Sequence, residues 1–414
     1  MENEGQYRYQ RIDLATDAIR IVRLLKGHQE DPIRCELFQA LLHQVDGLPY
    51  EALSYCWGDS LRAYQVFVNE REKYVKQNLY MALLALRQPH QDRLLWIDAI
   101  CIDQDNHKEK GHQVGQMRQI YENAEQVLIW LGPSSYGIDS LLDFVRRWDF
   151  ETRQRPEAHI AKGWIDSWIK LTADETGPYK EALTAGPRHS LQEMLNRPWF
   201  RRVWILQEVA SAKRATILCG SNAISSRGFS LLPFLLEVEL DSHTEAVLDI
   251  LPGYRRKETW WGERQDLETL LLKFGTSEAT DDRDKIYALL GIASDACASS
   301  TLLPDYTVSL ELAICHTISF LLFHEAYDPS ARPLPEDMDF ATFLHILPQL
   351  SYYILGWALQ QPDDVTAAAI VPKVGDINIL FITAQSPLSW IISSSASFHR
   401  TLCAMMERDD LDVL

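Results

Sequence analysis

Glu208 stands four residues after Trp204 in the run RPWFRRVWILQEVASA, Arg197 to Ala212. The run reads as one helix, with Pro198 suited to its first turn. At ~100° per residue, Trp199, Val203, Leu206 and Ala210 form a narrow apolar stripe, the obvious core face. Trp204 and Glu208 lie together far around the helix from that stripe, and Arg201 shares their azimuth two turns earlier. Two readings fit this pattern. Glu208 is a solvated glutamate beside an arginine, or, because Ile205 and Val209 flank it, a carboxylate in a partly covered groove. Burial in such a groove raises a carboxyl pKa and suits the group to chemistry.

A second set sits in SYCWGD: Ser54, Tyr55, Trp57, Gly58 and Asp59. These residues end a short apolar run, and ligands of open α/β sheets bind beyond the carboxyl ends of strands. Turn chemistry explains Gly58-Asp59 equally well, and Trp57 also fits a core position. A third set is acidic: Asp98, Asp103 and Asp105, with His107, Glu109 and His112 nearby. His107 and His112 are five apart, the wrong step for one helical face, and no calcium-loop pattern is present, so no metal is expected. Asp103, at an expected strand end, is the pocket residue of this group. The fourth set, Asp281 to Asp284, either pairs Arg283 across an interface or caps a helix. No P-loop, GxGxxG, GxSxG or HExxH occurs.

The elements that must position these residues follow from periodicity. Ala18 to Leu25, Tyr50 to Asp59, Arg93 to Asp103, Gln126 to Gly132 and Arg214 to Gly220 read as strands, mostly buried. YQVFVNEREKYVK alternates around Asn69-Glu70 as a hairpin. Asn78 to Gln88 reads as a helix with Asn78 as N-cap. Val114, Met117, Ile120, Tyr121 and Ala124 mark an amphipathic helix. Strands alternating with helices predict an α/β fold, a doubly wound and mostly parallel sheet. The expected organisation is lead-in strands over 1–47, the main domain over 48–220 with an insertion at about 133–192, a mainly helical region over 221–330 capped at Thr280 or Asp281, and a C-terminal region over 331–414 of no readable role.

Composition bounds the function. The chain has 414 residues, 46% hydrophobic, long enough for two or three domains. Lys and Arg total 40 against 58 Asp and Glu, and a net charge of −18 repels nucleic acid and anionic membranes. The seven cysteines form no CxxC pair and sit mostly in apolar runs, which fits free thiols in a reducing compartment. The acidic, polar start has no secretory pattern, and Phe340 to Leu359 is too interrupted for a membrane span, so a cytoplasmic location is expected.

Taken together, YEALSYCWGD, LWIDAICIDQ, QMRQIYENAEQVLIWLG, RPWFRRVWILQEV and RDKIYALLG resemble the fungal heterokaryon-incompatibility (HET) domain family, in the family's order. The core of the resemblance covers about residues 50 to 210. Asp103 stands where the family usually has asparagine, which makes the pocket more acidic. HET domains are in turn similar to TIR domains, which implies a TIR-like, flavodoxin-like sheet. EALSY resembles the first TIR strand, and the step from Trp204 to Glu208 resembles the WCxxE helix. In TIR enzymes the glutamate at that step cleaves NAD at the nicotinamide–ribose bond. The resemblance therefore implies an effector of nonself recognition and programmed cell death, with Glu208 catalytic and Ser54, Tyr55, Trp57, Gly58, Asp59, Asp103 and Trp204 binding substrate. NAD enters as substrate; no cofactor is implied. Nicotinamide is already a cationic leaving group, so one carboxylate facing the oxocarbenium-like ribose lowers the barrier without a general acid. No phosphate clamp is evident; Arg201, Arg202 and the amides near Gly58 are the candidates. The alternative the resemblance implies is a non-catalytic signalling module that self-associates. The implied partners are a second copy or an upstream recognition protein.

Overall fold

A computed structural model describes residues 5–360, apart from 45–47, 59–62, 155–160, 173–185, 254–255, 257–258, 263–264, 298, 300, 331–333 and 336. Among the described residues, nine strands make one sheet. They are β1 (Ala18–Leu24), β2 (Arg34–Leu41), β3 (Glu51–Tyr55), β4 (Ala63–Val68), β5 (Arg71–Lys76), β6 (Arg93–Trp96), β7 (Val127–Trp130), β8 (Ala215–Cys219) and β9 (Asn222–Ser225). Their order is β5-β4-β2-β1-β6-β3-β7-β8-β9. The centre, β6-β3-β7-β8, is parallel. Every residue of β7 is buried, as expected where both faces of a parallel strand are covered.

The fold is α/β as expected; the sheet as a whole is mixed, with β2 and β4 also pairing parallel. β1 pairs antiparallel with both β2 and β6, and the β4–β5 and β8–β9 hairpins add antiparallel rungs at the two ends. Within the parallel centre the order is second, first, third, fourth along the chain. This order places a topological switch between β3 and β7, where a doubly wound sheet binds ligands. The Asn69-Glu70 hairpin forms as expected. Both turn residues have positive φ, 49° and 61°, the conformation of a two-residue turn that matches strand twist.

The helices of the first half are α1 (Gln77–Leu86), α2 (Asp98–Cys101), α3 (His107–Asn123), α4 (Tyr136–Arg153), α5 (Ala161–Thr172), α6 (Pro187–Leu195) and α7 (Trp204–Ala210). The second half adds α8 (Ser226–Phe229), α9 (Leu232–Leu235), α10 (Ser242–Ile250), α11 (Leu267–Phe274), α12 (Asp284–Leu290), α13 (Leu310–Phe323), α14 (Phe340–Ile346) and α15 (Leu350–Gln360). The insertion is helical: α4 and α5 clasp each other through Phe144, Trp148, Trp164 and Trp168, ring edge to ring face. No helix among the described residues is long and apolar enough to cross a membrane.

Four local expectations are corrected. The strand expected to run from Arg93 to Asp103 ends at Trp96, and the chain turns into α2 at Asp98. Asn78 is not an N-cap; α1 starts after Lys76, and the Asn78 amide donates to the Cys56 carbonyl and accepts from the Trp130 indole. The single helix expected from Arg197 to Ala212 is two pieces, a 3-10 turn over Pro198–Arg201 and then α7. Between them Arg202 is extended, because the Glu278 backbone accepts from Val203 N–H and donates to the Arg201 carbonyl. Neither Thr280 nor Asp281 caps a helix: α12 begins at Asp284, and the Asp281 carboxylate instead accepts from the Arg283 backbone and guanidinium.

One buried ion pair fastens the N-terminal strands to the parallel centre. Arg20 of β1 and Glu109 of α3 are 2% and 3% exposed and 2.5 Å apart. The Arg20 guanidinium also donates to the Cys101 and Gln10 carbonyls, and Glu109 accepts from Asp103 N–H. Every charge-bearing atom here has a partner, which is what lets such a pair survive in an interior. Glu109→Gln should therefore destabilise the fold by about 3–5 kcal/mol in denaturant titration. A loss below about 1 kcal/mol would show that the pair is not holding β1 in place.

Candidate functional site

The site grows from the carboxyl end of β3. Consecutive strand residues point to opposite sides, so Ser54 and Tyr55 serve different neighbours. Ser54 is fully buried; its hydroxyl accepts from the Trp199 indole at 2.8 Å and donates to the Glu208 carboxylate. Tyr55 is also buried, and its hydroxyl meets Asp98. The Tyr55 carbonyl accepts from Arg202.

Glu208 is 3% exposed, so the reading of a solvated glutamate is overturned. The physical reason is the break in the helix. With Arg202 extended, the azimuths of an unbroken Arg197–Ala212 helix no longer apply, and α7 buries Ile205 through Ala210 without interruption. The same break exchanges the arginines. Arg201, expected beside Glu208, is exposed, and Arg202 is the guanidinium that faces it.

The electrostatics follow from burial. Burial pushes the Glu208 carboxyl up to about 7 from an ordinary 4.5; Arg202 and the Ser54 hydroxyl pull it back down, and Asp98 pushes it further up. Burial likewise raises Asp98, against the pull of Arg202 and of the Trp57 indole, which donates to it at 2.7 Å. Arg202 is raised by the two carboxylates, against a downward pull from burial. One Glu208 oxygen, Oε2, has no hydrogen-bond partner. The set therefore offers a carboxylate with a free oxygen, a hydroxyl beside it and a guanidinium across from it. Such a set can hold a sugar hydroxyl or face a developing positive charge.

A cleft of about 200 Å³ opens on the other side of Tyr55. Tyr55, Trp57 and Asp103 line it, joined by Tyr9, Lys73 and Lys76. Ser54, Trp204 and Glu208 are not among its walls. The residues named from sequence thus separate into a buried carboxylate set and an open aromatic cleft, with Tyr55 between them. Gly58 is not among the cleft's walls; it adopts φ of +69°, and its carbonyl accepts from Lys76. Asp59 lies outside the described residues. Trp204 points elsewhere: its indole hydrogen-bonds Asp284, which Tyr306 also holds at 2.7 Å. Among the described residues no His, Cys, Asp and Glu group is arranged to hold a metal ion.

Sequence reasoning missed Lys73, Lys76 and Tyr9. They come from β5 and the N-terminal segment, and no local spacing ties them to β3. Asp98 did carry a signal, a lone carboxylate closing the apolar run LLWI, which marks a strand end as readily as a strand interior.

Residues 50–208 match the sequence family described as "Heterokaryon incompatibility protein (HET)". Glu208 is the last residue of that match, and Ser54, Tyr55, Asp98 and Arg202 all fall within it. "Heterokaryon incompatibility protein 6, OR allele" of Neurospora crassa is 29% identical over 342 residues, 70% of this chain and 50% of that protein. The chain spans about half the length of the curated relative it matches. No solved structure matches it significantly.

The raised Glu208 carboxyl fixes the sign of a stability effect. Between about pH 4.5 and 7 the folded chain holds a proton there that the unfolded chain has lost, so this group's contribution falls as pH rises through that window. Glu208→Gln should therefore be more stable than the parent at pH 8, by on the order of 2–3 kcal/mol. The two should melt alike near pH 5. A variant less stable than the parent at pH 8 would mean that the charged form is the favoured one.

Proposed function

We propose, since residues 50–208 match the heterokaryon-incompatibility family, that the protein is an effector of fungal nonself recognition and programmed cell death that hydrolyses NAD at the nicotinamide–ribose bond. The observation that carries the chemistry is Glu208: a buried carboxylate with one unpartnered oxygen, held by Ser54 at the carboxyl end of β3, beside the topological switch. The resemblance of the Trp204–Glu208 step to the TIR glutamate motif supports the same role.

In this mechanism the C–N bond breaks with its electron pair leaving on nicotinamide, and the ribose carbon becomes oxocarbenium-like. The ionised Glu208 faces that charge and accepts from a ribose hydroxyl. Water then adds to the ribose carbon and loses a proton, giving ADP-ribose. Ser54 and Arg202 orient the carboxylate. The closed arrangement requires Tyr55 or Arg202 to shift before ribose reaches Glu208.

That closure favours a second reading, a non-catalytic TIR-like module that signals by self-association, with the carboxylate set serving only to fix β3 against α7. Nicotinamide release from NAD by the purified chain separates the two. Under the first reading release occurs, falls as pH drops below about 7, and is reduced ~10²-fold or more in Glu208→Gln. Equal release by that variant removes the glutamate's role. No release at any protein concentration, with light scattering that rises with concentration, leaves the second reading.

A further inference from the structure

We propose that the cleft between the β4–β5 hairpin and the α2–α3 connection is a binding site for a nucleoside monophosphate, with Lys73 and Lys76 taking the phosphate, Trp57 and Tyr9 the ring, and Asp103 the sugar hydroxyls. This goes beyond the hydrolysis reading, because binding here needs neither Glu208 nor turnover.

Four observations carry it. First, two lysines line one concavity of about 200 Å³, smaller than an enclosed small-molecule pocket, so a ligand here keeps part of its surface in solvent. Second, neither ammonium has a carboxylate within ion-pair distance among the described residues. Each rests on an aromatic face instead: Lys73 lies 4.5 Å from the Tyr9 ring centroid and Lys76 5.3 Å from that of Trp57. Such contacts exchange readily for a phosphate, which offers several charge-assisted bonds. Third, burial pulls the Lys73 ammonium down by more than Asp103 and Asp105 pull it up, which leaves a deficit of negative charge around it. An incoming anion would relieve that deficit. Fourth, Asp103 and Asp105 form an acidic part of the same lining, near enough for their charge to act on Lys73. A bare anion is repelled from that part, whereas a sugar diol is a hydrogen-bond donor that a carboxylate accepts. The Asp103 backbone is held in place by Glu109, so the carboxylate is presented from a fixed position.

The wall chemistry therefore asks for three groups in one ligand: a flat ring, vicinal hydroxyls and a phosphate. The net charge of −18 does not oppose this, because selectivity for the phosphate is local to the lysine pair.

Calorimetric titration of the full chain with AMP, adenosine and inorganic phosphate tests the assignment. AMP should bind at least tenfold more tightly than either fragment. Its affinity should fall with added salt, because screening weakens the contact between the phosphate and the ammonium groups. Lys73→Gln with Lys76→Gln should bring AMP down to the level of adenosine and flatten the salt slope, while Glu208→Gln should leave AMP binding unchanged. AMP binding no tighter than phosphate would overturn the ring and sugar assignments. Binding by the double lysine variant at parental strength, or a flat salt dependence in the parent, would overturn the phosphate assignment. Failure of NAD hydrolysis alone would leave this site standing.

Discussion

Arg202 is the residue on which the interior of this protein turns. It faces two carboxylates, Asp98 and Glu208, and its own nearest anchor is the Tyr55 carbonyl. One guanidinium cannot fully compensate two carboxylates taken from water. The imbalance is divided: Trp57 and the Ala99 amide support Asp98, Ser54 alone supports Glu208, and the less supported group is the one driven to about 7. A single position thus determines both where the sheet's carboxyl end closes and which of its acids stays near neutrality. The extended backbone at Arg202 is what aims the guanidinium inward, and that conformation is set from outside the segment by the Glu278 backbone.

The second half of the chain is therefore structurally part of the site. Glu278 splits the helix that precedes Glu208, and Asp284 holds the indole of Trp204 one turn before it. β9 continues the sheet beyond residue 220. The familial segment ends at Glu208, but the contacts that shape Glu208 come from residues 70 to 80 positions later in the chain. Movement of that later region would change the α7 environment through two defined connections, the Glu278 bridge and the Asp284–Trp204 bond.

What could be read from sequence was whatever local pattern dictates. The Asn69-Glu70 turn and the buried run VLIW follow from alternation and from burial on both faces. The errors arose where tertiary contacts override local pattern. A helical wheel through Arg197–Ala212 could not foresee a backbone bridge from Glu278, so it set Arg201 beside Glu208 and left a solvated and a covered glutamate both open. Asn78 looks like a cap, yet Cys56 and Trp130 claim its amide. Asp98 closes an apolar run that reads as one strand, and only the start of α2 turns it to the sheet's end. Of the binding residues inferred from sequence, Tyr55, Trp57 and Asp103 share the cleft and Ser54 joins Glu208, since a strand turns successive side chains to opposite faces, while Trp204, on α7, turns to Asp284.

The position of β1 has a consequence for how this fold can be divided. Although it precedes the familial segment, β1 lies inside the sheet, between β2 and β6. A fragment cut to residues 50–208 would leave the rungs of β6 unsatisfied on one side, and β7 would lose β8 on the other. Two bare edges of hydrophobic strand are templates for intermolecular pairing. The segment that matches the family is thus smaller than the unit that closes its own sheet, and cut out alone it is more prone to aggregate than to fold.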